Sequence, residues 1–335
     1  APMCQYSAID GDMNDWHIVN LGQFAISGPG MITIEATGVE PEGRITHGCT
    51  GMYSNSNKKS MERIVKFCHQ ISDSKISLQL GHAGRKASTE KPWEGGKSLS
   101  KDNSWETFAP SAIPFQDDWQ VPTELDEFGL ERIKKAFVES TIKANQINID
   151  ALEIHSAHGY LLHQFLSPLS NLRKDNYGGS LENRMRFPLE IISSVRKSWP
   201  SYKPLIIRLS VTDWVDGGWD INQSIIFCKE LSKIGCDAIH VSSGGLSPLQ
   251  KIPLGPSYQC ELSFKIKNQV DLPIIAVGMI TDPIQAESII RTGQADMVAL
   301  AREYLRNPRW TWEAAKKLLG KSSVPNQYLR AQSFN

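Results

Sequence analysis

The sequence predicts an α/β protein folded as a single (β/α)8 barrel with parallel strands, and three observations carry that prediction. Short apolar, β-rich runs recur along the chain, and each is followed by a longer segment with helical periodicity, which is the pattern of parallel βαβ units. The spacing of these runs leaves no break for a second domain, so residues 1–335 read as one unit. Polar and charged residues stand at the ends of the runs, where a barrel gathers side chains from distant parts of the chain at one mouth.

The runs are MITIEA (31–36), KISLQL (75–80), DALEIH (150–155), PLIIRLSV (204–211), AIHVSS (238–243), PIIAVG (273–278) and MVALA (297–301). Their near-continuous apolar character is what strands need when helices cover a parallel sheet. An eighth run would close the ring. The sequence opens on Ala1 rather than Met, and a strand ending at Pro2-Met3-Cys4 is expected, with its strand-forming part before Ala1. An open ring is expected to be destabilised, because it leaves two strand edges unpaired.

The longest irregular stretch runs from Ala87 to about Asp126 and is rich in Lys, Ser, Pro and Trp. It follows the run that is third in a ring counted from the expected first strand. Loops after barrel strands lie on the catalytic face, so this stretch is read as a lid or pocket wall, the alternative being a surface insertion. The tail from 320 to 335 follows the last helical pattern.

Composition narrows the function classes. With 40% hydrophobic residues the chain has enough apolar material for a large buried core. Lys plus Arg and Asp plus Glu both number 36, so no overall field draws the protein to nucleic acid or to an anionic membrane, and any anion site is local. No apolar run approaches the roughly 18–20 residues that span a bilayer, and APMCQYSAIDGD lacks the features of a signal peptide. Cys4, Cys49, Cys68, Cys228, Cys236 and Cys260 show no paired spacing, which fits free thiols in the cytoplasm.

The sharpest cluster is IHSAHGYLLHQFLSP (154–168), where His155, His158 and Tyr160 follow directly on an apolar run. Two histidines three apart can ligate a metal, but no third ligand stands at a recognisable spacing, so no metal is expected. Paired imidazole donors can instead hold a carbonyl oxygen that gains negative charge, while a neighbouring Tyr protonates the adjacent carbon. That is chemistry for an enone. Read alone, the segment also fits histidines that merely satisfy a strand end and cap a helix.

ISLQLGHAGRK (76–86) ends another run with an amide, a histidine and two cations, and Gln79 is suited to reading a heterocycle through its carbonyl and NH2 together. Arg208 lies inside an apolar run and needs an anionic partner. Both an electron-rich cofactor ring and a salt bridge to Glu153 or Glu35 meet that need. Gly278 and Arg302 stand where barrels commonly hold a phosphate group. Neither GxGxxG nor a Walker pattern occurs, which argues against a Rossmann site or P-loop.

Taken together, PMCQYS, LQLGHAGRK, HSAHGYLLHQFLSPLSNLRKDNYGGSLENRMRF, RLS, AVGMI and NQYLRAQ resemble the Old Yellow Enzyme family of FMN-dependent ene reductases almost end to end. The Cys4-x-Tyr6 start and the Tyr328-x-Arg330 near the end resemble its thermophilic-like, xenobiotic reductase branch. The resemblance implies FMN at the carboxyl ends of the strands and a ping-pong cycle in which NADPH or NADH reduces the flavin and hydride then passes to an activated alkene. It assigns Tyr160 as proton donor and His155 and His158 as holders of the substrate oxygen, with Cys4 beside the flavin as a further catalytic residue.

By the same resemblance Ala1, Pro2, Met3, Cys4, Ala36 and Gln79 line the flavin ring and ribityl chain, Arg208 stabilises the reduced flavin, and Ala301 and Arg302 hold the phosphate. Tyr6 helps to bind substrate. Arg330 resembles a C-terminal finger reaching a neighbouring subunit's site, which implies a homodimer or homotetramer. Trp93 and Trp105 in the long loop are expected to narrow the pocket. Two other readings stand beside this one: an FMN barrel acting on quinones, nitroesters or other xenobiotics, and a phosphate-binding barrel without flavin, such as an isomerase or a silent binding protein.

Overall fold

The structure is a computed structural model and describes residues 1–334; Asn335, the last residue of the expected tail, lies outside them. Its centre is a seven-stranded, all-parallel sheet: β1 (Met31–Gly38), β2 (Lys75–Gly81), then β5 (Ala151–Ser156), β6 (Leu205–Ser210), β7 (Ala238–Ser242), β8 (Ile274–Ala276) and β9 (Met297–Val298), paired in that order. β3 (Phe108–Ala109) and β4 (Thr123–Glu124) form a separate small parallel pair inside the long loop. Every expected run holds a strand. The last two are shorter than expected, because Val277–Gly278 and Leu300–Ala301 turn away, Ala299 N–H making the last bond to Ala276 O at 2.8 Å.

Helices α1 (Asp15–Ser27), α2 (Asn55–Ile71), α3 (Glu127–Gln146), α4 (Leu161–Leu166), α5 (Leu181–Ser198), α6 (Ile221–Ile234), α7 (Cys260–Lys267), α8 (Pro283–Arg291), α9 (Arg302–Arg306) and α10 (Trp310–Leu319) alternate with the main strands. Local chemistry starts several of them. Asn14, Ser54, Asp126, Ser180, Asp220 and Asp282 each accept a backbone N–H in the first turn of α1, α2, α3, α5, α6 and α8. Pro283 opens α8, where its missing N–H is no loss.

Strands β5, β6, β7 and β8 are buried on both faces, and the two-residue period divides the work. Leu78, Leu80, Leu152, Ile154, Ile207, Leu209, Ile239 and Val241 belong to the apolar layer shared with the helices. The alternate positions face inward. At the bottom of the sheet Ala151, Ile206, Ala238 and Ile275 form an apolar plug with Met31 and Ala299 packed on it. One step up, β2, β5, β6 and β7 carry Gln79, Glu153, Arg208 and His240, and the ends of β5, β6 and β7 carry His155, Ser210 and Ser242. Polarity inside the sheet therefore rises toward its carboxyl end, the mouth.

β1 and β9 do not pair with each other, and both line a cavity of about 500 Å³ together with Met13, Phe24 and Trp310. The sheet is thus curled into a ring that stays open along one seam. Among the described residues no strand occupies it. The Ala1 nitrogen donates to Leu300 O at 2.7 Å, so the first residues cross the upper end of this seam.

Candidate active site at the mouth of the sheet

Three rings meet where β5 ends. His155 lies edge to face with His158, centroids 5.1 Å apart, and with Tyr160, centroids 4.9 Å apart. The cause is a tight turn: His158 and Gly159 both have left-handed backbone, at φ +57° and +73°. A Cβ on Gly159 would come within 2.2 Å of Gly245 O, so only glycine lets the loops after β5 and β7 approach this closely.

Hydrogen bonds fix how the imidazoles are presented. His155 Nδ1 accepts from the Ala157 N–H at 3.2 Å, which leaves Nε2 as its donor. His158 Nε2 meets the Ser242 hydroxyl at 2.7 Å, and its backbone N–H donates to Ser210 Oγ at 2.9 Å. Burial, with the nearby Arg208 cation second, holds both imidazoles well below their ordinary range, so both are neutral near pH 7. Burial and the thiol of Cys4 raise the Tyr160 phenol well above its ordinary value, so it keeps its proton.

Lys86 ties these loops together. Its ammonium donates to His158 O and Gly245 O, each at 2.8 Å, and stands 5.2 Å from the centre of the Tyr160 ring and 4.7 Å from that of Phe115. Burial, followed by the charge of Arg85, pushes Lys86 down to about 7. Sequence reasoning noted the two cations of GHAGRK but gave Lys86 no role. His163 and Asp213 likewise went unassigned; His163 Nδ1 accepts from Gly159 N–H, while its Nε2 pairs with Asp213 Oδ1 at 2.8 Å.

Cys4 and Tyr6 border the same space. Burial, then Cys49 and Glu35, pushes the Cys4 thiol well up, so it stays protonated, although the Ala36 backbone and Tyr6 favour the thiolate. Tyr6, at φ +50°, packs edge to face on Trp93 with centroids 5.8 Å apart. Trp93 sits on a short turn at Pro92–Glu94, and the other loop tryptophan, Trp105, is anchored through Nε1 to Glu42 O. Arg173 donates to Pro110 O and Leu125 O, fastening the far side of the 87–126 loop.

Below the rings, Gln79 Nε2 donates to Glu153 Oε1 and His240 Nδ1 meets Glu153 Oε2, both at 2.7 Å. Arg208 makes no ion pair among the described residues: Glu153 is engaged as above, and Glu35 accepts from Gln5 N at 2.7 Å and faces His17 Nε2 at 3.4 Å. The salt-bridge reading of Arg208 is therefore corrected. Arg208 Nε and His240 Nε2 are buried polar atoms without a hydrogen-bond partner. Gly278, at φ +126°, has Gln259 Nε2 only 2.7 Å from where a Cβ would stand. Ala301 precedes α9, which opens on the exposed Arg302.

Comparison with known proteins identifies the lineage. Residues 1–320 match the model of the NADH:flavin oxidoreductase / NADH oxidase family. The chain belongs to this family, that of Old Yellow Enzyme. It is 40% identical over 331 residues to an NADPH dehydrogenase of Clostridium acetobutylicum, covering 98% of this chain and 93% of that one. It is also 40% identical over 334 residues to an NADPH dehydrogenase of Bacillus subtilis (strain 168), again 98% and 93% covered. Morphinone reductase shares the fold, at TM-score 0.78 and 24% identity, over 97% of this chain and 86% of that one.

As an Old Yellow Enzyme family member the chain is an FMN-dependent NAD(P)H oxidoreductase. The residues present fit that cofactor. An unpaired buried guanidinium N–H, an amide held in one orientation and a glycine with no room for a side chain are what a polar heterocycle with a phosphate tail requires. Arg330 is different: it is exposed on a tail whose Tyr328 packs on Trp312 of α10, 5.2 Å between centroids.

Proposed function

We propose that the enzyme reduces the activated C=C bond of α,β-unsaturated carbonyl or nitro compounds at the expense of NAD(P)H. The observation that carries this reading is the group His155, His158 and Tyr160: two neutral imidazoles and one protonated phenol, with His158 and Tyr160 packed edge to face on His155 at centroid distances of 5.1 and 4.9 Å. Bound FMN supplies a two-electron carrier between the nicotinamide and the alkene. Ala1, Pro2, Met3, Cys4, Ala36, Gln79 and Arg208 would hold the flavin, with Gly278, Ala301 and Arg302 at its phosphate.

His155 and His158 donate to the substrate's carbonyl or nitro oxygen, where charge accumulates as the β-carbon is reduced. Neutral imidazoles whose orientation is held by the Ala157 N–H and the Ser242 hydroxyl reorganise little at that moment. Tyr160 gives its proton to the α-carbon and recovers one from solvent, so one C=C bond is replaced by two C–H bonds per nicotinamide oxidised. Tyr6 packs against the substrate, and Arg330 of a neighbouring copy completes the pocket in a homodimer or homotetramer. The six free cysteines support a cytoplasmic location. Among the described residues no helix is long and apolar enough to cross a membrane.

An anaerobic absorbance titration tests the reading. Flavin bands that bleach with NADPH and return with 2-cyclohexenone support it. Bands that return with a quinone or nitroester but not with any enone would move the assignment to xenobiotic reduction at the same mouth.

A further inference from the structure

The geometry points to Glu153 as a positioning residue of the flavin site: it locks the Gln79 amide in one orientation and sets a fixed negative charge beside Arg208, lowering the midpoint potential of the bound FMN. The inference rests on the reading that Gln79 and Arg208 face the flavin.

Glu153 is 1% exposed and stands on β5, directly opposite Gln79 on β2 in the strand register. Its two oxygens are divided between Gln79 Nε2 and His240 Nδ1 at 2.7 Å each, so one side chain spans from β2 to β7. A carboxylate only accepts, which decides the amide: the NH2 of Gln79 must turn toward Glu153, and its Oε1 must turn away. The same logic puts the His240 proton on Nδ1, leaving Nε2, which is buried and unpartnered, as an acceptor.

Those hydrogen bonds do not require a charge. A glutamine at 153 could accept from one neighbour and donate to the other, and burying a carboxylate costs several kcal/mol that a neutral isostere avoids. Nor is Glu153 half of an ordinary buried ion pair, since its contacts are an amide and an imidazole and Arg208 lies beyond ion-pair distance. Burial works against the ionised carboxyl, yet His240 and Arg208 together hold it down to about 2, while burial takes His240 down to about 4. At neutral pH the layer therefore contains one carboxylate, one guanidinium and a neutral imidazole. The carboxylate opposes the accumulation of electrons on a ring held against Arg208, and so acts on potential as well as on orientation.

The test is made on the FMN-loaded enzyme, reading the midpoint potential by dye equilibration and the FMN dissociation constant by fluorescence. Glu153→Gln is expected to shift the potential positive and to raise the dissociation constant about tenfold, the size of one lost charge-assisted hydrogen bond. Glu153→Asp keeps the charge but shortens the reach, so the potential stays near that of the wild type while affinity falls. In a Gln79→Ala background Glu153→Asp should cost no further affinity, because the amide through which it acts is gone.

A potential unmoved by Glu153→Gln, or additive affinity losses with Gln79→Ala, would overturn the proposal; a buried group with a purely structural role changes the melting temperature alone. Should Glu153→Gln not fold, His240→Ala decides: it frees one carboxylate oxygen and is expected to weaken FMN binding, and unchanged binding overturns the idea. If Gln79→Ala itself leaves FMN affinity intact, it is the underlying assignment of Gln79 to the flavin that fails.

Discussion

The His155 and Tyr160 rings stand nearly perpendicular, at 84° with centroids 4.9 Å apart, an edge-to-face contact with no hydrogen bond between phenol and imidazole. The hydroxyl is therefore left for a substrate. Replacing Tyr160 by Phe should slow re-oxidation of the reduced enzyme by 2-cyclohexenone about 100-fold, the usual worth of a general acid, while reduction by NADPH keeps its rate. Stopped-flow traces of the two half-reactions separate these effects, and an equal loss in both removes Tyr160 from the proton-donor role.

Lys86 gives a pH signature in stability. Its ammonium has an ordinary value of 10.5 and is lowered to about 7 in the fold, so between those limits the unfolded chain binds the extra proton. Stability contributed by this site consequently rises as pH goes from about 7 toward 10.5. Lys86→Met lacks that rise, and the melting-temperature advantage of the wild type over the variant should be larger at pH 9.5 than at pH 6.5. A difference independent of pH would mean that the amine does not lose its proton inside the fold.

If Arg330 enters a neighbouring copy's pocket as proposed, Arg330→Ala raises the KM for an enone several-fold with little change in the KM for NADPH. Sedimentation at the assay concentration should show a dimer or larger assembly. A monomer with wild-type kinetics rules the finger out.

The seam between β1 and β9 leaves backbone groups of two strands without ladder partners over a cavity of about 500 Å³. A separate Val- and Ile-rich peptide of about eight residues is expected to raise the melting temperature by several degrees if it adds to these edges, through new ladder bonds and apolar burial. A peptide of equal length made of Gly and Ser is the control, and equal melting temperatures would show that the edges do not accept a strand.

Most of the frame was legible because a parallel sheet buried on both faces writes itself as apolar runs. All seven runs hold strands. The shortfall came at β9, which pairs on one side only and whose Met297 remains 41% exposed, so propensity outran the available hydrogen bonds. At the mouth, His155, His158 and Tyr160 were legible because they fall within six residues on one strand end. Lys86, Ser242 and His240 were not, since their roles depend on neighbours 72 to 159 residues away. For Lys86 the signal was present, two cations directly after an apolar run, but charge at a strand end does not reveal which loops it will bridge.

The near contact of Gly159 with Gly245 joins the turn that carries His158 to the segment that follows β7. Those two loops are in effect one mechanical part, with Lys86 as its rivet. Lengthening or stiffening residues 246–257, none of which belongs to the three-ring group, should then rotate one oxyanion donor relative to the other and alter which face of a prochiral alkene is reduced. On the proposed reading, the segment that tunes this enzyme's selectivity then lies outside the three-ring group it tunes.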